Sequence, residues 1–157
     1  PQKYFEDNSS PEKSGFTERL ATLVAYPDEM LPKIYLQQSE WQLKQLGLAL
    51  MQFIQDYNER IDLTQQNYIE KLTPYMKDDS LFTAPEDSPG TTSFNINSNI
   101  VGLSLSTFTD FEDTVAFYLG HDQKLDFRYD GLSPVCFMDG HVEAISPDQA
   151  KDLQWKP

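Results

Sequence analysis

The sequence predicts an α+β fold in which one long N-terminal helix packs on an antiparallel sheet of about four or five strands, with short helices flanking it. Apolar residues in the first half of the chain recur with helical spacing, which is typical of a helix with one buried face. The second half breaks into short apolar runs separated by polar residues, as strands do. Near the C-terminus, an Asp-Gly pair between two apolar runs indicates a β-hairpin.

The charge balance excludes several classes of partner. The chain has 157 residues, with 12 Lys and Arg against 25 Asp and Glu, so its formal net charge is −13. Such a chain disfavours nucleic acid and anionic lipid surfaces, because both are bound through clustered Lys and Arg. No apolar run approaches the roughly 20 residues that cross a bilayer, so no membrane span is predicted in this chain. A domain of this length folds without needing a metal or disulfide.

The chain divides into an arm and one domain. Residues 1–32 are predicted to be a polar N-terminal arm of unknown role, with at most one short helix over 16–26. Its Pro and Gly residues interrupt any longer element. From residue 33 onwards the spacing of apolar residues becomes regular, and residues 33–157 are predicted to form a single globular domain.

The long helix has the clearest pattern. Its predicted core face is formed by five apolar residues at steps of three and four: Leu43, Leu46, Leu50, Phe53 and Tyr57. Trp41, Leu48 and Ile54 widen this stripe, which suits a helix lying on a sheet better than a coiled coil. The helix is predicted to end near 58–62. A second helix is predicted over 65–71, with Thr64 as its N-cap and Pro74 ending or kinking it.

The strands follow a turn-rich loop at 83–90. Four runs are predicted to be strands: 93–96, 100–105, 114–119 and 124–129. The hairpin spans 134–145, and its Asp139-Gly140 pair predicts a type I′ turn with positive φ at both residues. Cys136 is predicted to be buried and inert in this hairpin. Ser146, Pro147 and Gln149 then predict a short capped helix, and Trp155 is expected to pack back on the body.

Several segments in order resemble one protein family. They are LKQLGLAL at 43–50, QDYNER at 55–60, LTPYMK at 72–77, PED at 85–87, SFNIN at 93–97 and VCFMDGHVE at 135–143. Over about residues 36–145 the chain resembles bacterial type IV pilin-like and pseudopilin-like proteins. The end of the chain is similar to their prepilin-type processing-associated domain, which is named for a His, nine residues, then Asp-Gly.

The resemblance implies a non-enzymatic domain that acts by protein-protein assembly, as in type IV pili and type II secretion, or by surface display. It also implies other protein subunits as partners and an extracytoplasmic or cell-surface location. The family's structural motif falls here on Tyr129, Asp139, Gly140 and His141, with Tyr129 in place of the histidine. Positions that carry cysteines in many members read Ser39 and Ala84.

The sequence nominates no catalytic or cofactor-binding residue. His141 beside Asp139 resembles a metal or acid-base pair, but a turn explains Asp139 without further function. Four residues offer ligands to calcium, which some pseudopilins hold in C-terminal loops: His121, Asp122, Asp126 and Asp130. They lack the regular spacing of a dedicated calcium loop, so no metal is assigned.

Two alternative functions stay open at this point. One is a stand-alone ligand- or protein-binding module on the same fold, and the other is a hydrolase that uses an Asp/Glu pair. Because residues 33–42 are mixed and the arm is polar, the isolated chain is expected to be monomeric or weakly associating.

Overall fold

The computed structural model describes residues 28–157, so the arm helix predicted over 16–26 lies outside the described residues. The helices are α1 at Leu31–Asp56, α2 at Tyr68–Met76 and α3 at Pro147–Ala150. Single 3-10 turns occupy Asp28–Met30, Asp79–Phe82 and Leu105–Thr107. The strands are β1 at Phe94–Ile96, β2 at Val115–His121, β3 at Lys124–Leu125, β4 at Ser133–Phe137 and β5 at Val142–Ile145.

The strands form one antiparallel sheet, and the predicted α+β architecture is confirmed. The sheet has the order β1-β2-β4-β5, with β3 paired to the end of β2. Helix α1 has 26 residues, which corresponds to a length of about 39 Å. The seven residues of β2 reach only about 24 Å, so the helix is much longer than any strand it crosses.

Helix α1 begins two residues before the predicted domain boundary. Pro32 lies in its first turn, where a missing N–H costs no helical hydrogen bond. Four residues of the predicted core face are at most 2 % exposed: Leu43, Leu46, Leu50 and Phe53. The prediction is wrong for Tyr57, which is 40 % exposed. The helix has already ended at Asp56, and the Tyr57 ring stacks on Phe53 at 4.1 Å between centroids.

The sheet is covered on both faces. Cys136 and Phe117 belong to the core beneath α1, whereas Val135, Phe137 and Tyr118 belong to a second cluster under the C-terminal segment. In that cluster the Trp155 ring meets Tyr118 edge-on, with centroids 5.0 Å apart. The predicted capping box is present, because Ser146 Oγ accepts from the Gln149 N–H while the Gln149 side chain accepts from the Ser146 N–H.

Two of the four predicted strands are wrong in whole or in part. The 100–105 segment is not a strand, because Gly102 has a φ of +81° and reverses the chain. Its backbone bonds instead to the loop after α1, with the Ile61 N–H donating to the Leu103 carbonyl at 2.8 Å. Of the predicted 124–129 strand, only Lys124–Leu125 pairs with β2.

The second helix also differs from its prediction. Thr64 Oγ accepts from the N–H groups of Gln66 and Asn67, so it caps a turn that precedes α2 rather than the helix itself. Pro74 lies inside α2 and does not end it. The helix ends two residues later at Met76, where Lys77 takes a left-handed φ of +66°.

The hairpin is confirmed, but its type I′ turn is wrong. Gly140 has a φ of +96°, whereas Asp139 is not among the described residues with positive φ. The loop has three residues, closed by the Gly140 N–H to the Phe137 carbonyl at 2.8 Å and the Phe137 N–H to the His141 carbonyl at 2.9 Å. Among the described residues, positive φ at two successive positions occurs instead at three other places: Asn58 with Glu59, Asp122 with Gln123, and Asp130 with Gly131.

Helix α1 lies close to the sheet at Gly47. A Cβ atom built on Gly47 would lie 2.9 Å from the Sγ atom of Cys136, which is fully buried on β4. Ordinary van der Waals contact needs about 3.5–4.0 Å. Glycine is therefore required here by the distance between the two layers, although it costs helix stability.

We predict that Gly47→Ala destabilises the domain by up to about 2 kcal/mol, because overpacking against Cys136 exceeds the gain in helix propensity. In a Cys136→Ala background the same change should be neutral or stabilising by up to about 1 kcal/mol, since the sulfur is gone. Urea unfolding of the four proteins measures the coupling. Additive effects of the two substitutions would contradict this contact.

Candidate functional site

The motif residues lie at opposite ends of β4. Tyr129 precedes β4 and is 2 % exposed beneath α1, whereas Asp139, Gly140 and His141 form the exposed hairpin loop that follows it. The motif is therefore divided by the five residues of β4 into a buried hydroxyl and a surface imidazole.

The Tyr129 hydroxyl joins helix α1 to the 83–90 loop. It lies 3.1 Å from Ser39 Oγ, which is fully buried, and donates to Glu86 Oε1 at 2.9 Å. Burial has the largest effect and raises the pKa of Tyr129; the bond to Ser39 lowers it, and the negative charge of Glu86 and the bond to that carboxylate raise it again. The hydroxyl is therefore a neutral crosslink between two distant parts of the chain.

Arg128 extends this network to the surface. Its guanidinium contacts Glu86 at 3.1 Å, Asp87 at 2.9 Å and Asp126 at 2.8 Å. Asp87 in turn accepts from Ser93 Oγ at 2.6 Å. Three carboxylates surround one cation here, so the cluster is negative overall and offers no binding site to a phosphate or sulfate group.

Ser39 and Ala84, at which the resemblance implies cysteines in many family members, both belong to this region. Ser39 reaches it through the Tyr129 hydroxyl, and Ala84 is 2 % exposed with its N–H donating to Ser93 Oγ at 2.8 Å. Hydrogen bonds thus connect α1 with the loop. In the sequence, the Pro-Glu-Asp segment stands out only as a family motif. The contacts of Glu86 and Asp87 with Arg128 were not predicted, because they join residues about 40 positions apart.

The surface imidazole of His141 is bonded on both sides. Its Nδ1 lies 2.5 Å from Asp139 Oδ1, its Nε2 lies 2.8 Å from Glu143 Oε2, and its ring stacks on Phe137 at 4.5 Å. Partial burial opposes the charged ring, but the bonds to both carboxylates outweigh it and raise the pKa of His141. Burial likewise opposes ionisation of Asp139, but hydrogen bonds from His141 outweigh it and lower the pKa of that carboxyl.

The four calcium candidates are not brought together into a cage. Asp122 forms the β2–β3 turn, Asp126 is bonded to Arg128, and Asp130 forms the turn before β4. Among residues 28–157, no group of three or more His, Cys, Asp or Glu side chains is placed to hold a metal ion. Cys136 is buried, and burial raises the pKa of its thiol to about 12.

Helix α1 also presents an apolar strip to solvent. We call Trp41, Leu48 and Met51 its outer face, since they are 57 %, 49 % and 41 % exposed. At 3.6 residues per turn they lie within about 80° of the helix circumference. Trp41 and Leu48 were predicted to widen the buried stripe, and this is wrong, because the sheet covers only the opposite side of the helix. None of the helices described between residues 28 and 157 is long and apolar enough to span a membrane.

Comparisons with known proteins identify no relative: no protein-family model, no curated protein and no solved structure matches this chain.

We predict that Tyr129→Phe lowers the free energy of unfolding by about 1–3 kcal/mol, because it leaves the buried Ser39 hydroxyl without its partner. Tyr57→Phe, at an exposed ring, is the matched control and should be neutral. A Tyr129→Phe, Ser39→Ala double variant should lose less than the sum of the two single variants. Urea unfolding measures the free energy of unfolding of the two single variants, the double variant and the control. If Tyr129→Phe leaves this free energy unchanged, the network does not contribute to stability.

The His141 cluster should make stability depend on pH. Because the folded-state pKa of His141 is raised, its stabilising effect is complete below the unfolded value of about 6.5 and is lost as pH rises through the folded value. Asp139 has a lowered pKa, so its effect is present above about 3.9 and is lost as pH falls further. The advantage of wild type over His141→Gln should therefore shrink from about pH 6 to pH 9. The control is Lys151→Met, which removes an exposed ion pair and should show no such trend. A difference in unfolding free energy between wild type and His141→Gln that stays constant with pH would contradict the prediction.

Proposed function

We propose that this chain is a non-enzymatic, pilin-like subunit domain that acts by assembling with other protein subunits outside the cytoplasm. The observation that carries the proposal is the outer face of α1. This helix is the longest element, its inner side packs on the sheet, and three large apolar side chains remain exposed on the other side. The resemblance of the sequence segments to pilin-like proteins supports the same conclusion.

The outer face has the properties of a contact surface. Single exposed apolar residues are common in soluble proteins and need no partner. Here three large ones follow each other along one helix, and burying a side chain of this size is worth roughly 1.5–3 kcal/mol. The occupant that we propose for this face is the same helix of another subunit of this class.

The net charge sets the strength of that contact. Copies that each carry a formal charge of −13 repel one another, and this repulsion extends over about 10 Å at 0.1 M salt. We therefore propose that the isolated chain is monomeric or weakly associating, and that contacts between subunits strengthen when charge is screened.

The ion pairs of five carboxylates support a non-catalytic function for those residues over the hydrolase alternative. A general acid or a nucleophile must be available to substrate. Glu86, Asp87 and Asp126 are bonded to Arg128, while Asp139 and Glu143 are bonded to His141. These residues hold parts of the fold together, and we assign none of them to catalysis.

Disulfide crosslinking tests the proposed contact. Cys136 is buried, so Leu48→Cys introduces a thiol that reacts alone at the outer face. We expect dimers of Leu48→Cys to form faster than dimers of Gln66→Cys, which is exposed and lies outside α1 in the chain. The difference should grow in about 1 M salt, where the Debye length falls to about 3 Å.

Two further results decide the case. Adding Trp41→Asp to Leu48→Cys should slow the crosslinking, because it places a charge in the same strip. Equal rates for Leu48→Cys and Gln66→Cys at both salt concentrations would contradict the proposal. Light scattering that shows a stable oligomer of the isolated chain, independent of concentration, would contradict the weak association.

A further inference from the structure

The strand order β1-β2-β4-β5 leaves two outer edges, and the edge at β1 is closed. There the backbone groups of Phe94 and Ile96 point away from β2. The Phe94 carbonyl accepts from the Tyr68 hydroxyl at 3.3 Å, and the Ile96 carbonyl accepts from Gln65 Nε2 at 3.0 Å. Side chains from α2 and the turn before it therefore occupy the carbonyls that an added strand would need.

The opposite edge, at β5, is open. The Phe137 N–H donates to the His141 carbonyl at 2.9 Å, which fixes the alternation of hydrogen bonds between β4 and β5. Glu143 then points its backbone groups at β4, whereas Val142 and Ala144 point theirs outward. In the described part of the chain, no neighbouring strand or side chain occupies the groups that point outward.

A pocket lies beside this edge, on the face of the sheet that carries the second cluster. Its volume is about 240 Å³. Its lining includes three large apolar side chains: Phe137, Ile145 and Leu153. It also includes three carboxylates, and no Lys, Arg or His: Asp113, Glu143 and Asp152. A Lys or Arg side chain combines an apolar stem with a charged end, so it suits both parts of this lining.

Negative charge is in excess around the pocket. The hydrogen bond with Asp110 has the largest effect on Asp113 and raises its pKa, and the charges of Asp110 and Glu143 raise it further. A positive charge placed here would relieve the repulsion between these carboxylates.

Glu143 belongs to both the edge and the pocket. Its Oε2 lies 2.8 Å from His141 Nε2, yet its side chain is 53 % exposed. A residue added opposite Glu143 would place its side chain on the same face, with the two Cβ atoms about 4.5–5.5 Å apart. A basic side chain at that position would therefore reach both Glu143 and the pocket.

We propose that the β5 edge binds an extended segment of a partner protein as an added antiparallel strand, with a Lys or Arg of that segment opposite Glu143. The outward groups of Val142 and Ala144 bond to the backbone of the segment, and the pocket selects its basic side chain. A second copy of this chain is a poorer occupant, because it sets one acidic edge against another and each copy carries a formal charge of −13. This surface shares no residue with the outer face of α1.

Synthetic peptides test the proposal on the full chain. The first probe is acetyl-Ser-Thr-Val-Lys-Val-Thr-Ser-amide, and the second has Glu in place of Lys. In the proposed register the two Val N–H groups of the peptide point at β5, whereas its Lys N–H points away. N-methylation of both Val residues should therefore abolish binding, and N-methylation of the Lys should not. Any other order of binding among these peptides contradicts the proposed strand pairing.

Amide hydrogen exchange, followed by NMR, locates the contact on the protein. We expect the Lys peptide to slow exchange at Val142 and Ala144 by about tenfold when it occupies about nine-tenths of the protein, because only the free fraction still exchanges. The Ile61 N–H, which bonds to the Leu103 carbonyl far from β5, is the internal control and should exchange as before.

Variants of the protein test the selection of charge. Glu143→Lys should weaken binding of the Lys peptide by about three- to tenfold and strengthen binding of the Glu peptide. Glu70→Lys, exposed on α2, changes the net charge equally and should leave both affinities as in wild type. Ala144→Pro removes one outward N–H but no bond to β4, so it should abolish binding of both peptides.

Four results would overturn the proposal. The first is no binding of the Lys peptide at about 10 mM, the weak end of measurable affinity. The second is equal affinity for the Lys and Glu peptides. The third is slowed exchange at Val142 and Ala144 that depends on protein concentration, which would identify a second copy as the occupant. The fourth is protection of both amides in the dilute free chain, which would show that the edge is already occupied. None of these results depends on the crosslinking at Leu48, so they leave the proposed subunit assembly untouched.

Discussion

The architecture depends on how closely helix α1 approaches strand β4. At Gly47 the helix has no side chain, and Cys136 on β4 fills the space that a Cβ would need. This short distance allows Leu43, Leu46 and Leu50 to reach the sheet from one helical face and to become almost fully buried. A larger residue at position 47 would lift the helix, and the loss would be shared by every contact along that face.

A second constraint acts at the other end of β4. There the layers are joined by a polar chain, in which Ser39 on α1 meets the Tyr129 hydroxyl and Tyr129 meets Glu86 on the loop. Arg128 then holds that loop to the segment after β3 through carboxylates on both sides. Apolar packing sets the distance between helix and sheet, whereas these directional bonds set where the loop lies.

The exposed side of α1 follows from the same packing. Because α1 is buried on one side only, its opposite side is available, and there Trp41 borders a groove while Leu48 and Met51 face solvent. Some of the acidic groups elsewhere contact Arg128 or His141, although three carboxylates around Arg128 leave that cluster negative overall. The proposed subunit contact therefore uses the side of α1 that the sheet leaves uncovered.

The sequence by itself determined the elements whose signal is local. Helical spacing identified α1, the Asp-Gly pair between apolar runs identified the β4–β5 hairpin, and Ser146 with Gln149 identified the cap of α3. The sequence did not determine the turn geometry. The same Asp-Gly pair has positive φ at both residues at 130–131, but only at the glycine at 139–140. The first pair fills a two-residue loop between Tyr129 and Leu132, whereas the second lies in a three-residue loop between Phe137 and His141.

Only the tertiary structure decided the remaining features, because they join residues that are far apart in the chain. Nothing local distinguishes Tyr129 as the partner of Ser39, 90 positions away, or Gly47 as the point where Cys136 touches the helix. The 100–105 segment has the composition of a strand, yet it lies beside the loop after α1 rather than beside a strand. Tyr57 continues the helical spacing of apolar residues, but α1 ends before it. Spacing reports which residues prefer to be buried, and only the arrangement of the layers decides which of them find a partner.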